Sequence, residues 1–219
     1  MYKSVNKKIT FIEMTRSINS NYDVKDELDI GYISKTYKVS NKYNKKPYVL
    51  KKIPFKDKKQ SNIIKDKLLG IQKSKNKYLA EIIEFFPEKN DFNIIMEFFN
   101  GLNLRNFINE QNNESIKKEI ILYILLNICE GLKELHDNNI VCINLKPENI
   151  FLNEDLIFKI GDFGIPIQLI KNIKNFSCYS EDIGIIEEKV YDYKDDIGAL
   201  GDILLELCTL KKYSKEGDK

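Results

Sequence analysis

At Asn100-Gly101 the periodicity of this chain changes, and that change limits the fold more than any composition figure does. Ahead of it stand short runs of β-branched and aromatic residues separated by turn formers. Tyr37-Lys38-Val39 and Tyr48-Val49-Leu50 flank NKYNKKP, and residues 82 to 86 and 92 to 98 flank PEKND. Such runs read as strands. One interruption, residues 61 to 73 (SNIIKDKLLGIQK), has apolar residues at helical spacing, weakened by Gly70. Behind the change, LRNFI and SIKKEIILYILLNICEGLKELH read as helices, the second closed by the turn-like His136-Asp137-Asn138-Asn139. Two short apolar runs then flank an Asn-Glu-Asp turn, and DDIGALGDILLELCTL is again helix-like. A β-rich part with one helix, a connector and a helix-rich part make an α+β chain in two lobes. The expected boundaries are an extension over 1–20, a first lobe over 21–96, a connector over 97–101 and a second lobe over 102–219.

Composition serves mainly to exclude. With 42% hydrophobic and 31% charged residues the chain is globular rather than disordered. A net charge of +2 gives no reason to expect a nucleic-acid partner. Cys129, Cys142, Cys178 and Cys208 lie far apart, which suits neither a metal site nor a disulfide framework. The N-terminus lacks the apolar core of a signal peptide, and the longest apolar run, IILYILLNI, is too short to span a membrane. The expectation is a reduced intracellular compartment, cytoplasmic or nuclear, with no membrane partner. Asn, Ile and Lys are abundant, whereas only Arg16 and Arg105 are arginines. Compositional drift is therefore an alternative reading of any single unexpected asparagine.

Phosphoryl transfer needs a lysine on the phosphates, oxygen ligands for a hard cation, and a carboxylate to take the hydroxyl proton. Lys51 ends the strand-like YVLK, Asn149 lies in LKPENIFL, and Asp162 opens Asp-Phe-Gly behind LIFKI. This ordered set resembles the protein kinase family, with its V-A-I-K, H-R-D-L-x-x-x-N and D-F-G motifs. YDYKDDIGALGDILLELCTL is similar to the family segment around its helix F, with Asp196 as the buried aspartate. Within the family, DIGALG and ELCTLKK look most like the NIMA-related group. The resemblance runs over residues 22 to 213. It implies a two-lobed kinase fold that binds ATP and Mg, with Lys51 on the phosphates and Asn149 and Asp162 on the metal. It also implies that Gly31, Val49 and Phe151 line the nucleotide and Met96 the back of its pocket. Glu97 and Phe99 would then offer backbone groups to adenine, and Lys146 would sit near the transferred phosphate. Asp196 and His136 take structural roles.

The departures from the family pattern carry equal weight. Family H-R-D reads Cys142-Ile143-Asn144 here, and the neutral amide of Asn144 is no proton acceptor. Ile143 replaces an arginine that reads a phosphorylated activation loop. Cys142 replaces a histidine, and a buried thiol is a reasonable small hydrophobe in its place. The three loop glycine positions read Asp29, Gly31 and Ser34, so one glycine survives to let backbone approach phosphate. Counting back from Tyr78-Leu79 places Lys67 where a helix glutamate should face Lys51; Asp66 could take that place only with a one-residue shift of the helix. A-P-E should lie near Ser180-Glu181-Asp182, a poor match, and the expectation after helix F is an incomplete lower lobe, either because the chain is a truncated or partial one or because that lobe is reduced. On that reading the apolar face of residues 197–208 needs a partner. Three readings stand: a pseudokinase that binds nucleotide and an unidentified protein partner, a weakly active serine/threonine kinase, and a decayed product with no function.

Overall fold

The computed structural model describes residues 17–30, 34–112, 114–163 and 192–212, with the side chains of residues 29 and 30 left aside. The chain divides into two compact units, 1–75 with 81–98, and 76–80 with 99–219.

The first unit is a five-stranded antiparallel sheet in the order β1-β2-β3-β5-β4. Its strands are β1 (Tyr22–Ile30), β2 (Lys35–Asn41), β3 (Pro47–Pro54), β4 (Ile82–Glu88) and β5 (Asp91–Glu97). The turn expected over PEKND is tighter than the sequence suggests, because Pro87 and Glu88 continue β4 in register with Phe92 and Asp91. Proline is tolerated there because β4 is an edge strand, where a missing N–H costs no ladder bond. A short helix, α1 (Ile18–Asn21), precedes β1. Ile18, Tyr22, Val39, Leu50, Phe86 and Ile95 form one buried cluster, which among the described residues starts at Ile18. Glu88 secures that start by accepting hydrogen bonds from Ser17 Oγ (2.7 Å) and the Ile18 N–H (3.2 Å).

Helix α2 (Lys58–Ser74) begins where Asp57 accepts the Gln60 N–H and ends at Lys75 in the left-handed region. It is longer at both ends than its apolar spacing alone suggests, and Gly70 does not interrupt it. Ile64, Leu68 and Ile71 face inward at helical spacing and are buried. Burial of such side chains contributes about 1.5–3 kcal/mol each, which exceeds the roughly 1 kcal/mol cost of one interior glycine.

The second unit contains α3 (Leu104–Asn109), α4 (Lys118–Asp137), a 3-10 turn (Pro147–Asn149), the hairpin β6 (Ile150–Leu152) and β7 (Phe158–Ile160), and α5 (Tyr193–Thr209). Residues 78–80 attach to β7: the Ile160 N–H donates to the Tyr78 carbonyl and the Ala80 N–H to the Ile160 carbonyl, each at 2.9 Å. Gly131 of α4 permits this approach, since a Cβ there would lie 3.0 Å from the Tyr78 oxygen. Asn127, buried on α4, accepts the Phe158 N–H (3.0 Å) and donates to the Tyr123 carbonyl (2.8 Å), which joins the hairpin to the helix. A capping box of Asp192 and Asp195 starts α5. Ile203 and Leu207 are buried, whereas Ile197, Leu204 and Leu205 share an exposed stripe on α5 among the described residues. No described helix is long and apolar enough to cross a membrane.

Candidate functional site

Asp196, in the first turn of α5, organises the loop that leads to Asn144. It is 1% exposed. Its Oδ2 accepts the Cys142 N–H (2.8 Å) and the His136 ring Nε2–H (2.7 Å), and its Oδ1 accepts the Ile143 N–H (3.0 Å). A carboxylate only accepts, so Nε2 of His136 carries the proton. The ring of His136 also lies against Tyr193, with centroids 4.4 Å apart. Its geometry makes it a brace for Asp196. Ile143 has φ +63°, a left-handed conformation that is costly for a β-branched residue. The bond from its N–H to Asp196 helps to hold it there.

Beyond Ile143 the loop meets the segment after β7. Asn144 Nδ2 donates to Asp162 Oδ2 at 2.9 Å, and Asn149 Nδ2 donates to the Asn144 carbonyl at 2.9 Å. Both amide orientations follow from chemistry, because each partner is an acceptor only. The Cys142 thiol, fully buried, contacts the Asp162 carbonyl at 3.4 Å, and Phe163 is buried nearby in sequence. The Gly161 N–H donates to the Asn149 carbonyl (2.9 Å). Cys142, Asn144, Asn149 and Asp162 thus form one bonded cluster. Phe151 stacks on Phe99 with centroids 4.9 Å apart and planes 7° apart, and its ring also borders Gly161.

The donor chemistry of this cluster fits a hard divalent cation. With Nδ2 of Asn149 committed to a carbonyl, its Oδ1 is left as the acceptor, and Asp162 supplies carboxylate oxygen. No group of three or more His, Cys, Asp or Glu side chains suited to a metal occurs among the described residues.

Lys146 is exposed and lines a cavity of about 370 Å³ together with Arg105, Glu148, Asp202 and Glu206. Arg105 Nε pairs with Glu148 (2.8 Å) and a terminal guanidinium nitrogen pairs with buried Glu206 (2.5 Å). Burial opposes the charge on Arg105, but the two carboxylates outweigh it and hold the guanidinium more firmly protonated than usual. For Glu148 burial works upward, yet Arg105, the residue's own backbone N–H and the charge of Lys146 together outweigh it and leave the carboxyl below its ordinary range. The sequence reading missed Arg105; its rarity in a lysine-rich chain was the available signal.

In the first unit, Lys51 sits on β3 opposite Ile94 of β5 and Thr36 of β2, 9% exposed. Val49 pairs with Met96, which is buried, and Glu97 pairs with Tyr48. The Glu97 N–H donates to the Glu81 carbonyl (2.9 Å), while its side chain accepts the Glu81 N–H (3.1 Å). On α2, Lys67 falls between Ile64 and Ile71 on the inward face, and burial lowers its pKa. Asp66 is exposed. Asp29 pairs through its backbone with Thr36, and Ser34 is half-buried. Gly31, Cys178 and Ser180 to Asp182 lie outside the described residues.

Comparison with known proteins gives a consistent picture. A family model described as protein kinase domain matches residues 22–219. The chain is 32% identical over 202 residues to the human serine/threonine-protein kinase Nek5, covering 87% of this chain and 28% of the relative. It is 31% identical over 195 residues to mouse Nek1, covering 86% of this chain and 16% of that protein. To the mitosis inhibitor protein kinase SWE1 of Candida albicans it is 35% identical over 141 residues, covering 63% of this chain and 12% of the relative. The chain therefore spans less than a third of the length of each of these relatives.

Proposed function

Given that the chain belongs to the protein kinase family and is similar to NIMA-related kinases within it, we propose that it is a pseudokinase: a regulatory binding module with little or no phosphoryl transfer. Lys51, Asn149 and Asp162 would retain residual affinity for ATP and Mg. Val49, Met96, Phe151 and the backbone of Glu97 and Phe99 would line the nucleotide, with Gly31 contributing from the loop. An unidentified protein partner would read the bound state.

One observation carries the reading. Where the family places a proton acceptor, the Asn144 side chain is a hydrogen-bond donor to Asp162. Purified protein incubated with labelled ATP, Mg²⁺ or Mn²⁺ and generic protein substrates is expected to show no transfer. Transfer that disappears in Asp162→Ala would overturn the proposal.

A weakly active serine/threonine kinase is the second reading. It is favoured by the presence of Lys146, Asn149 and Asp162, and by the relatives named serine/threonine-protein kinases. Kinase catalysis rests largely on positioning and electrostatics, so loss of the base need not abolish it. In the same assay this reading requires Asn144→Asp to raise the rate sharply.

A further inference from the structure

Helix α4 already fills its inward face: Ile121, Ile124, Ile128, Leu132 and Leu135 are buried there at helical spacing. Its outward face carries a second apolar set that the core does not use. Leu122 is 63% exposed, Leu126 is 54% exposed, and Tyr123 beside them is exposed as well. Leu156, in the turn between β6 and β7, joins this set. It is 67% exposed, and its carbonyl accepts the Tyr123 hydroxyl at 3.2 Å, which brings the turn to the helix. Large apolar side chains therefore adjoin one another on the surface of the second unit, where a solvated face would carry polar groups.

Leu156 is the informative member. It stands in the left-handed region, with φ +60°. A turn position of that kind favours glycine or asparagine, and a leucine there is strained. Asparagine is abundant in this chain, so compositional drift would supply it here. The turn has its bonds without a leucine side chain: the Leu156 N–H donates to the Asn153 carbonyl (3.1 Å), and Asn153 Oδ1 accepts the Ile157 N–H (2.8 Å). An apolar side chain held in solvent at a position that disfavours it has its explanation outside the fold. The charged groups around the patch add a sign. Glu154 and Asp155 precede Leu156, and Glu130 lies one turn beyond Leu126, all of them exposed. Lys133, further along α4, is committed to Asp137 at 2.7 Å. Lys117 and Lys118 stand at the opposite end, where Lys118 is 3.9 Å from Glu119. Carboxylates thus border the patch at its Leu126 and Leu156 end.

We infer that Leu122, Tyr123, Leu126 and Leu156 form a docking surface for a helical segment of a protein partner, one whose apolar stripe is flanked by lysine or arginine. Side chains at i and i+4 on a helix make a ridge against which another helix packs. Basic flanks meet the carboxylates of Glu130, Glu154 and Asp155. None of these residues belongs to the nucleotide or metal set, so this inference and the pseudokinase reading fail separately.

The test uses the full chain and two labelled amphipathic peptides of about 18 residues, long enough to be helical, with the same leucine stripe. One has a lysine polar face and the other a glutamate polar face, and binding is read by fluorescence anisotropy. The chain is expected to bind the lysine peptide roughly tenfold or more tightly than the glutamate peptide. Leu156→Asn and Leu126→Gln should each weaken that binding by about tenfold. Leu204→Gln, in the exposed stripe of α5, should leave it unchanged. Leu156→Asn also separates contact from packing. Its melting temperature should equal or exceed that of the unaltered chain, because asparagine suits the left-handed backbone. A lower melting temperature assigns Leu156 to packing and overturns the inference. So does equal binding of the two peptides, no binding of the lysine peptide, or binding insensitive to both leucine variants. Sedimentation equilibrium covers the remaining occupant: a dimer of the unaltered chain that Leu126→Gln converts to monomer gives the surface to a second copy and overturns the inference as well.

Discussion

Asp196 shows how one side chain can fix a loop. Three hydrogen bonds converge on a carboxylate removed from water, two of them from consecutive backbone N–H groups. Asp196→Asn keeps the size but turns one acceptor into a donor that faces donors. The expected loss is on the order of 3 kcal/mol, read as a lower denaturation midpoint in urea. This residue was legible in the sequence because it stands at a fixed place in a helix-F-like stretch. Asn144 was legible as a lost base, since that needs only the identity of the residue. Its bond to Asp162 was not, because it links positions separated by a hairpin and depends on side-chain geometry.

At the scale of elements, Arg105 joins three pieces of the second unit: α3 through its own backbone, the 3-10 turn through Glu148, and α5 through Glu206. A planar guanidinium can serve two carboxylates at once, and an ammonium at the end of a flexible stem cannot do so with the same geometry. Arg105→Lys is therefore not conservative and is expected to cost about 1–3 kcal/mol in chemical unfolding. The pair also sets a pH dependence. Because Glu148 titrates below its ordinary range when folded, its contribution is present above the ordinary carboxylate range and is lost as pH falls through the lowered value. Glu148→Gln should flatten that part of the acid limb in melts across pH.

The elements themselves were largely legible: the strands, α2, α4 and α5 follow apolar spacing and turn chemistry. Their ends were less so. Pro87 reads as a turn former, yet it continues a strand because an edge position does not require its N–H. The rarity of arginine marks Arg105, but its partners Glu148 and Glu206 lie far along the chain, and no local pattern pairs them with it.

For the molecule as a whole, two units each have their own buried core. Lys51, Val49 and Met96 are in one, and Asn149, Phe151 and Asp162 in the other. If the proposed function holds, ATP must stabilise the folded chain as a whole. At hundredfold excess over its dissociation constant a ligand adds about 2.7 kcal/mol. The melting temperature should then rise by several degrees with ATP, and the rise should shrink in Lys51→Ala. An unchanged melt in saturating ATP would remove nucleotide from the proposal while leaving the fold intact.

Gly161 has a consequence that belongs to spectroscopy. The position a Cβ would take there is already occupied by ring carbons of Phe151, and that ring is itself pressed against Phe99. The two α-protons of Gly161 consequently sit within the ring current of an aromatic group held in a parallel stack. Their chemical shifts are displaced from random-coil values for as long as the stack persists. The backbone that delivers Asp162 therefore carries a built-in magnetic label, one residue upstream of the carboxylate, that follows its placement with no probe attached.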